Sequence, residues 1–412
     1  MRVETILNRV YPLTDFVYGP SRFEDSTVLV PIRARRGSRA TCSGCGETAA
    51  TYDTKAARRF AFVPLWNLQV AFEYRERRVD CPDCGVRVER LPWAKPYARL
   101  CSVFAQFLST WAKRLSISGV ARAFKVNWST VYEAVEEMVS WGLEHRDLGG
   151  IEAIGIDELA LHKRHRYGTL VYQIDAGRER LLHISEERTE ASIRSFFDWF
   201  GEERTKALKF VCSDLWPPYL KLVKERASRA LHVLDRFHVM SHLSKAIDQV
   251  RAEEARKLNA QGISLLKNTR FLLLKRSLFL QPDQQARLRD LVRYNLRSVR
   301  AWILKEDFNA FWGYLSPHFA TRFLKAWTTR AMRSRMEPMK RVARMLRRHE
   351  PYLLNYIRAR WTISSGKVEA MNGNARVLTR GAYGFRSFQV IKTLLFHRLG
   401  KLPEPPLTHS FA

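Results

Sequence analysis

Residues 151–162 read IEAIGIDELALH; YGTLVYQIDA follows at 167–176 and RLLHIS at 180–185. These three runs decide the fold. Each is rich in aliphatic and β-branched residues, and Ala176-Gly177 supplies a turn between the last two. EASIRSFFDWF at 190–200 then changes to helical spacing. LKFVCSD at 208–214 is a fourth strand, Pro217-Pro218 opens a helix, and ALHVLDRF at 230–237 is a fifth strand.

The order βββαβαβ is what an RNase H-like α/β domain gives: three antiparallel strands, then strands alternating with helices. Its acidic residues stand at telling places. Ile154-Gly-Ile-Asp157-Glu158 is an apolar strand leading into an acidic pair, and Val211-Cys-Ser-Asp214 is a second apolar strand ending on a carboxylate. Carboxylates at the ends of adjacent strands converge, and a convergent pair on a basic chain suits a divalent cation held with phosphate oxygens. Asp214 equally fits a cap for the helix that follows it. A later segment, Ser364-Ser-Gly-Lys-Val-Glu369-Ala-Met-Asn372-Gly-Asn374-Ala-Arg376, predicts a helix capped by Ser364 or Ser365. Glu369, Asn372 and Arg376 share one of its faces, which suits an active-site wall better than a core stripe.

Residues 239–360 are almost wholly helical in pattern, and Arg330 to Arg348 is strongly basic, with Glu337 its single acidic residue. Pro338 must kink or interrupt that helix. Its arginines, Arg341 and Arg344 among them, make either a solvated face beside a methionine stripe or a surface that follows DNA phosphates. Toward the N-terminus the chain reads as irregular to about residue 96, with short strand-like runs. Cys42-Ser-Gly-Cys45 and Cys81-Pro-Asp-Cys84 are two CxxC turns 36 positions apart (81 − 45). Two such turns complete a tetrahedral thiolate shell for a structural Zn²⁺ with no open position. Gly46 and Gly85 follow the second cysteine of each turn, where the chain must bend sharply. Cys101 and Cys212 read as core residues. Between the cysteines and the strands, residues 118–132 fit a helix-turn-helix. Val120, Ala121 and Phe124 form an apolar face, Val126 fills the turn and Asn127 caps the second helix. Trp128, Ser129, Thr130 and Tyr132 then stand near the exposed start of a recognition helix.

The whole chain has 412 residues, with 70 Lys+Arg against 41 Asp+Glu and a formal charge of +29. That length predicts several domains. The excess charge is spread throughout and points to a polyanion, DNA or RNA first. With 46% hydrophobic residues, a disordered chain is excluded. No apolar run is long enough for a membrane span or a secretory signal, so a cytoplasmic, nucleoid-associated protein without a membrane partner is expected.

Taken in order, GIDE at 155–158, SDLWPPYL at 213–220, LDRFHVM at 234–240 and KVEAMNGNARVLTRGAYGFRS at 367–387 resemble the DDE transposases of bacterial insertion sequences, most closely the ISL-three family. The resemblance covers nearly the whole chain. It implies an RNase H-like domain with a large all-helical insertion, preceded by a zinc finger and a helix-turn-helix. It implies Asp157, Asp214 and Glu369 as the catalytic triad, with Asp235 and His238 matching an Asp-x-x-His motif in which His238 positions the scissile phosphate or assists a proton transfer. It implies two Mg²⁺ (or Mn²⁺) ions, double-stranded DNA as partner through terminal inverted repeats and target, and a homodimer or larger homo-oligomer. Ala370, Gly373 and Arg376 stand where that family usually has glycine, asparagine and lysine. The expected organisation is a zinc-binding domain over 1–96, a helix-turn-helix domain over 97–148, catalytic segments over 149–238 and 361–412, and the helical insertion over 239–360. A transposase-derived regulator that binds DNA without cleaving it is the competing reading. Another RNase H-like nuclease is less apt, since such enzymes lack so long an insertion.

Overall fold

Around Trp93, Phe60, Phe72 and Tyr74 are packed so that each ring meets the indole near edge-on, at 5.3–6.5 Å between centroids. Rings of this size bury about 150–250 Å² each, enough for a few strands to hold a core. A computed structural model describes residues 2–162, 166–359, 365–381 and 387–406. The chain forms two compact units, Met1–Asp147 with Phe385–Ala412, and Leu148–Gly384.

In the first unit, α1 (Val3–Val10) precedes β1 (Phe16–Tyr18), β2 (Arg22–Glu24), β3 (Thr27–Ala34), β4 (Ala40–Thr41), β5 (Thr48–Leu65), β6 (Leu68–Cys81) and β7 (Gly85–Val88). They form one seven-stranded sheet in the order β1-β3-β6-β5-β4, with β2 beside β3 and β7 beside β6. This replaces the irregular region expected there. The reason lies in β5, whose first half is exposed on both faces and therefore carries no two-residue alternation of apolar side chains. Only where Phe60 and Phe62 turn inward does the pattern become that of a strand over a core. The hairpin turns at Trp66 and Asn67, both at positive φ (46° and 71°), as a two-residue loop with the twist of its strands requires.

Helices α2 (Ser102–Ala112), α3 (Ile117–Ala123) and α4 (Trp128–His145) follow. Ser116 caps α3 by accepting from the Gly119 amide. Asn127 stands at the cap of α4 as expected but makes no side-chain capping bond. Val131, Ala134, Val135 and Met138 face inward from α4.

The second unit is built on β8 (Ala153–His162), β9 (Arg166–Gln173) and β10 (Arg180–Glu186), then α5 (Glu190–Phe200), α6 (Glu202–Ala207), β11 (Phe210–Ser213), α7 (Pro217–Arg226) and β12 (Leu231–Leu234). The sheet order is β10-β9-β8-β11-β12. β8, β9 and β10 pair antiparallel, whereas β11 lies parallel between β8 and β12. Ile154, Ile156, Val171 and Val211 meet Phe196, Phe200 and Leu222 in one apolar cluster.

From β12 the chain enters α8 (Arg236–Ala260) and continues through α9 (Arg270–Leu274), α10 (Pro282–Val292), α11 (Arg297–Phe308), α12 (Pro317–Arg333), α13 (Glu337–Arg348) and α14 (Glu350–Arg358). Among the described residues this stretch holds no strand. Pro338 sits in the first turn of α13, so the interruption expected there falls just before it, at Arg335 with φ 60°. The helical stretch returns to the sheet edge: Asn355 of α14 donates to the His232 carbonyl at 2.9 Å. Helix α15 (Ser365–Gly381) lies on β8, and α16 (Phe388–Leu399) packs on α4 in the first unit. The segment expected to complete the catalytic domain, 361–412, is thus shared between the two units. Ser364 lies outside the described residues, as does the side chain of Ser365, so their expected capping is not described. Among the described residues no helix is long and apolar enough to cross a membrane.

Candidate functional site

The parallel pairing of β8 with β11 runs from Ala153 and Phe210 to Gly155 and Cys212. Asp157 and Asp214 each lie two residues past that pairing and are only 8% and 9% exposed. Asp235, just beyond β12, accepts the Phe237 amide at 2.8 Å and caps α8, which brings His238 round within its first turn. His238 Nε2 lies 3.8 Å from Asp157 Oδ1 and 3.9 Å from Asp235 Oδ2. One ligand atom from each of Asp157, Asp235 and His238 falls within 4.8 Å of the others. Two carboxylates and an imidazole so placed suit a divalent cation.

Burial raises the Asp157 pKa, and the Asp214 charge adds to the shift, while the Glu158 amide, His238 and Arg376 oppose it. Burial, then Asp214, pushes Glu158 up to about 8. The site therefore holds more negative charge than its setting stabilises. Arg188, between β10 and α5, offsets part of it. Its guanidinium pairs with Glu158 and, at 3.1 Å, with Asp214, and stacks 4.6 Å above the Trp216 ring. Asp214 also accepts the Trp216 amide at 2.9 Å, so the local turn role expected of it coexists with its place in the cluster. Beneath it, His232 bonds Ser213 Oγ at 2.7 Å, and burial holds its pKa down to about 4, so it is neutral at pH 7.

On α15, Asn372 is fully buried. It donates to the Asp157 carboxylate and accepts from Tyr172 Oη at 2.6 Å. Gly155 makes the approach possible, because a Cβ there would lie inside the van der Waals surface of Val368. Glu369, next to Val368, is exposed. Neither Glu369 nor Asp214 joins the group of ligand atoms formed by Asp157, Asp235 and His238. Arg376 is exposed one turn beyond Asn372 and near enough to bias Asp157. Arg188 and Tyr172 went unread in the sequence. The one signal for Arg188 was an arginine immediately before a helix cap, too common to single out.

In the first unit, Cys42, Cys45, Cys81 and Cys84 bring their sulfurs within 4.8 Å of one another, with Cys45 and Cys81 3.5 Å apart. Tetrahedral Zn–S bonds of ~2.3 Å place sulfurs about 3.8 Å apart, so the cluster is compatible with a zinc finger. Backbone N–H groups of Cys45 and Gly44 hold the Cys42 thiol down to about 7, favouring thiolate. Gly46 and Gly85 both take positive φ (83° and 69°). The 36-position gap is the β5–β6 hairpin, which leaves one CxxC turn and returns to the other. Cys101 and Cys212 are buried.

Trp128 at the start of α4 is 42% exposed and stacks on Tyr132, rings 5.3 Å apart at 10°. Ser129 is exposed and Thr130 partly so, but Tyr132 is half-buried, its hydroxyl reaching Glu136 at 3.1 Å. On α13, Arg341 and Arg344 are exposed. Arg341 donates to Gln249 at 2.6 Å and Arg344 pairs with Glu337.

A sheet with carboxylates clustered past its parallel strands, in a chain that also carries a helical DNA-binding pattern, defines a class of nucleic-acid-processing proteins. The profile of a family described as "Transposase" matches residues 154–395, more than half of the chain. That of the "Helix-turn-helix domain of transposase family ISL3" matches residues 89–139. The chain belongs to the ISL3 family of DDE transposases. It is similar to the transposase for insertion sequence element IS1001 of Bordetella parapertussis, 28% identical over 84% of this chain and 85% of that protein. It is also similar to the transposase for insertion sequence element IS1557 of Mycobacterium tuberculosis, 27% identical over 94% and 92%.

Proposed function

We propose that the chain binds the terminal inverted repeats of an insertion sequence and catalyses metal-dependent DNA strand cleavage and strand transfer in the cytoplasm. The observation that carries this reading is the grouping of Asp157, Asp235 and His238, with Asp214 near enough for its charge to act on Asp157, past the parallel strands of a sheet whose order fits an RNase H-like fold. Asp157, Asp214 and Glu369 are the catalytic carboxylates. Glu369 lies one turn before Asn372 on the same face, and Asn372 already touches Asp157. Two Mg²⁺ or Mn²⁺ ions bound there supply activation of water and stabilisation of the leaving oxygen. Asn372 and Tyr172 orient the Asp157 carboxylate, and His238 stands where Nε2 can hold a proton or a phosphate oxygen. Trp128, Ser129, Thr130 and Tyr132 meet the repeat, while Arg341, Arg344 and Arg376 meet DNA backbone. The four cysteines hold structural Zn²⁺. Residues 239–360 are an insertion in the catalytic fold, and pairing of two element ends calls for a homodimer or larger assembly.

The exposed position of Glu369 favours one second reading, a regulator that binds DNA without cutting it. The test is cleavage of a labelled duplex carrying the flanking inverted repeat, with Mg²⁺ or EDTA. Metal-dependent nicking at the repeat boundary by the wild type is expected, lost in Asp157→Asn and Glu369→Gln while the gel shift persists. Binding without nicking, even with Mn²⁺ and paired ends, would establish the regulator instead.

A further inference from the structure

The β1–β7 sheet has two unlike faces. Val30, Ile32, Phe60, Phe72 and Tyr74 point into the aromatic core. Arg33 and Arg75 point the other way and line an open hollow of about 380 Å³. In the parallel β3–β6 register Pro31 stands opposite Glu73, so Arg33 and Arg75, each two residues further on, fall on neighbouring strands. Strands lie ~4.8 Å apart, and like charges placed opposite each other on a sheet destabilise it.

Several other arginines of this sheet are compensated, two of them in pairs that involve Glu73 and Arg77 of the same hollow. Arg22 pairs with Glu73, Arg58 with Glu76, Arg77 with Glu89 and Arg78 with Asp53. Among the described residues Arg33, Arg75 and the exposed Arg35, just past the end of β3, have no acidic partner. On the other side of Arg75 from β3 stands Ala57 of β5, and Thr54 of β5 lines the same hollow, so the floor beside Arg75 is low; Glu73 and Arg77, which also line it, are held in their own ion pairs. A face that concentrates uncompensated guanidiniums over short side chains is built for a polyanion that approaches closely. It offers neither a helix for a groove nor a flat aromatic surface for bases.

We infer that this sheet face, centred on Arg33, Arg35 and Arg75, grips the phosphate backbone of duplex DNA without reading its sequence, beside the contacts of α4. The inference rests on the DNA-binding reading above and adds to it a separate, purely electrostatic holding site. The surface fixes the duplex and α4 does the discriminating, because phosphate contacts carry no sequence information.

The experiment uses the full chain and fluorescence anisotropy, with a duplex carrying the terminal repeat and an unrelated duplex of equal length, across a salt series. Each phosphate contact contributes about −0.9 to the slope of log K against log salt. Arg33→Ala/Arg75→Ala should lower the slope's magnitude by about 2 and weaken binding roughly 10–100-fold at 0.1 M salt for both duplexes alike. The ratio between the duplexes should stay unchanged, and Arg33→Lys/Arg75→Lys should recover most of the slope. Circular dichroism and zinc content matching the wild type keep the comparison on folded protein. An unchanged slope would overturn the inference, as would a change confined to the repeat duplex. Failure of the wild type to bind either duplex would overturn the DNA-binding reading itself. Wild-type binding with an indifferent double variant removes only this face.

Discussion

Asp157 carries a buried charge whose ion-pair partner is a histidine at 3.8 Å, and an amide from Asn372 is its closest donor. Burial raises its pKa, so the folded chain holds the proton more tightly than the unfolded chain. The sign follows. Below the ordinary aspartate range both states are protonated, and the folded state has its full advantage. As pH rises through that range the unfolded state ionises freely while the folded state resists, and stability falls. Asp157→Asn cannot ionise and keeps an oxygen to accept from Asn372. It is therefore expected to unfold a few degrees above the wild type at pH 7 without metal, with the difference closing toward pH 3. Added Mn²⁺ should raise the wild-type midpoint and leave the variant's unchanged, by binding to the native state alone. Thermal unfolding followed by circular dichroism at several pH values reads both. A variant less stable than the wild type at pH 7 would mean that the carboxylate is structural, not a site kept at the expense of stability.

At the scale of elements, the contact between β8 and α15 joins two parts of the chain some 200 residues apart, and it depends on an absent side chain at Gly155. Gly155→Ala pushes a methyl into Val368 and to within 3.3 Å of Ile174. The expected cost is about 1–3 kcal/mol of overpacking, with α15 displaced and the Asn372 bond to Asp157 weakened. Val368→Ala in the same chain should recover much of it, so urea unfolding of the two single variants and the double variant should show strong coupling. Additive effects would mean that α15 is not seated on Gly155. This contact also marks what could be read in advance. An apolar run ending on Asp157 or Asp214 is a local signal, and so is the pair of CxxC turns. The bond from Tyr172 to Asn372, and the bridge that Arg188 makes between Glu158 and Asp214, join residues whose neighbours in sequence say nothing of each other. The β5–β6 hairpin was hidden for another reason. Its outer half has no buried face to impose alternation, and its turn puts a tryptophan at positive φ, where glycine or asparagine is the usual cue.

Across the whole molecule, stability is divided between units with different supports. The Leu148–Gly384 unit has an extended apolar cluster running through its helices and a second one at its sheet. At the four cysteines the cluster holds only Ala40, Cys42, Val79 and Cys81, with Ala49 and Cys84 at its margin. So small a core cannot organise the free ends of an 18-residue and a 14-residue strand. Zinc held by the four cysteines, as proposed, would supply that order, because in such a site the binding free energy is folding free energy. Chelation of zinc is therefore expected to release the Cys-bearing end of the hairpin while Trp93 and its ring partners stay packed. Trypsin should then cut early at Lys55, Arg87 and Arg90, exposed basic residues between the two CxxC turns or just past the second. The 148–384 unit should resist digestion at the rate of the untreated protein. Mass spectrometry of a timed digest, before and after a chelator and with zinc restored, follows each site. Protection of all three sites after the metal has been stripped would show that the aromatic core alone orders the hairpin. Loss of the 148–384 fragment at the same rate would show that the two units unfold as one.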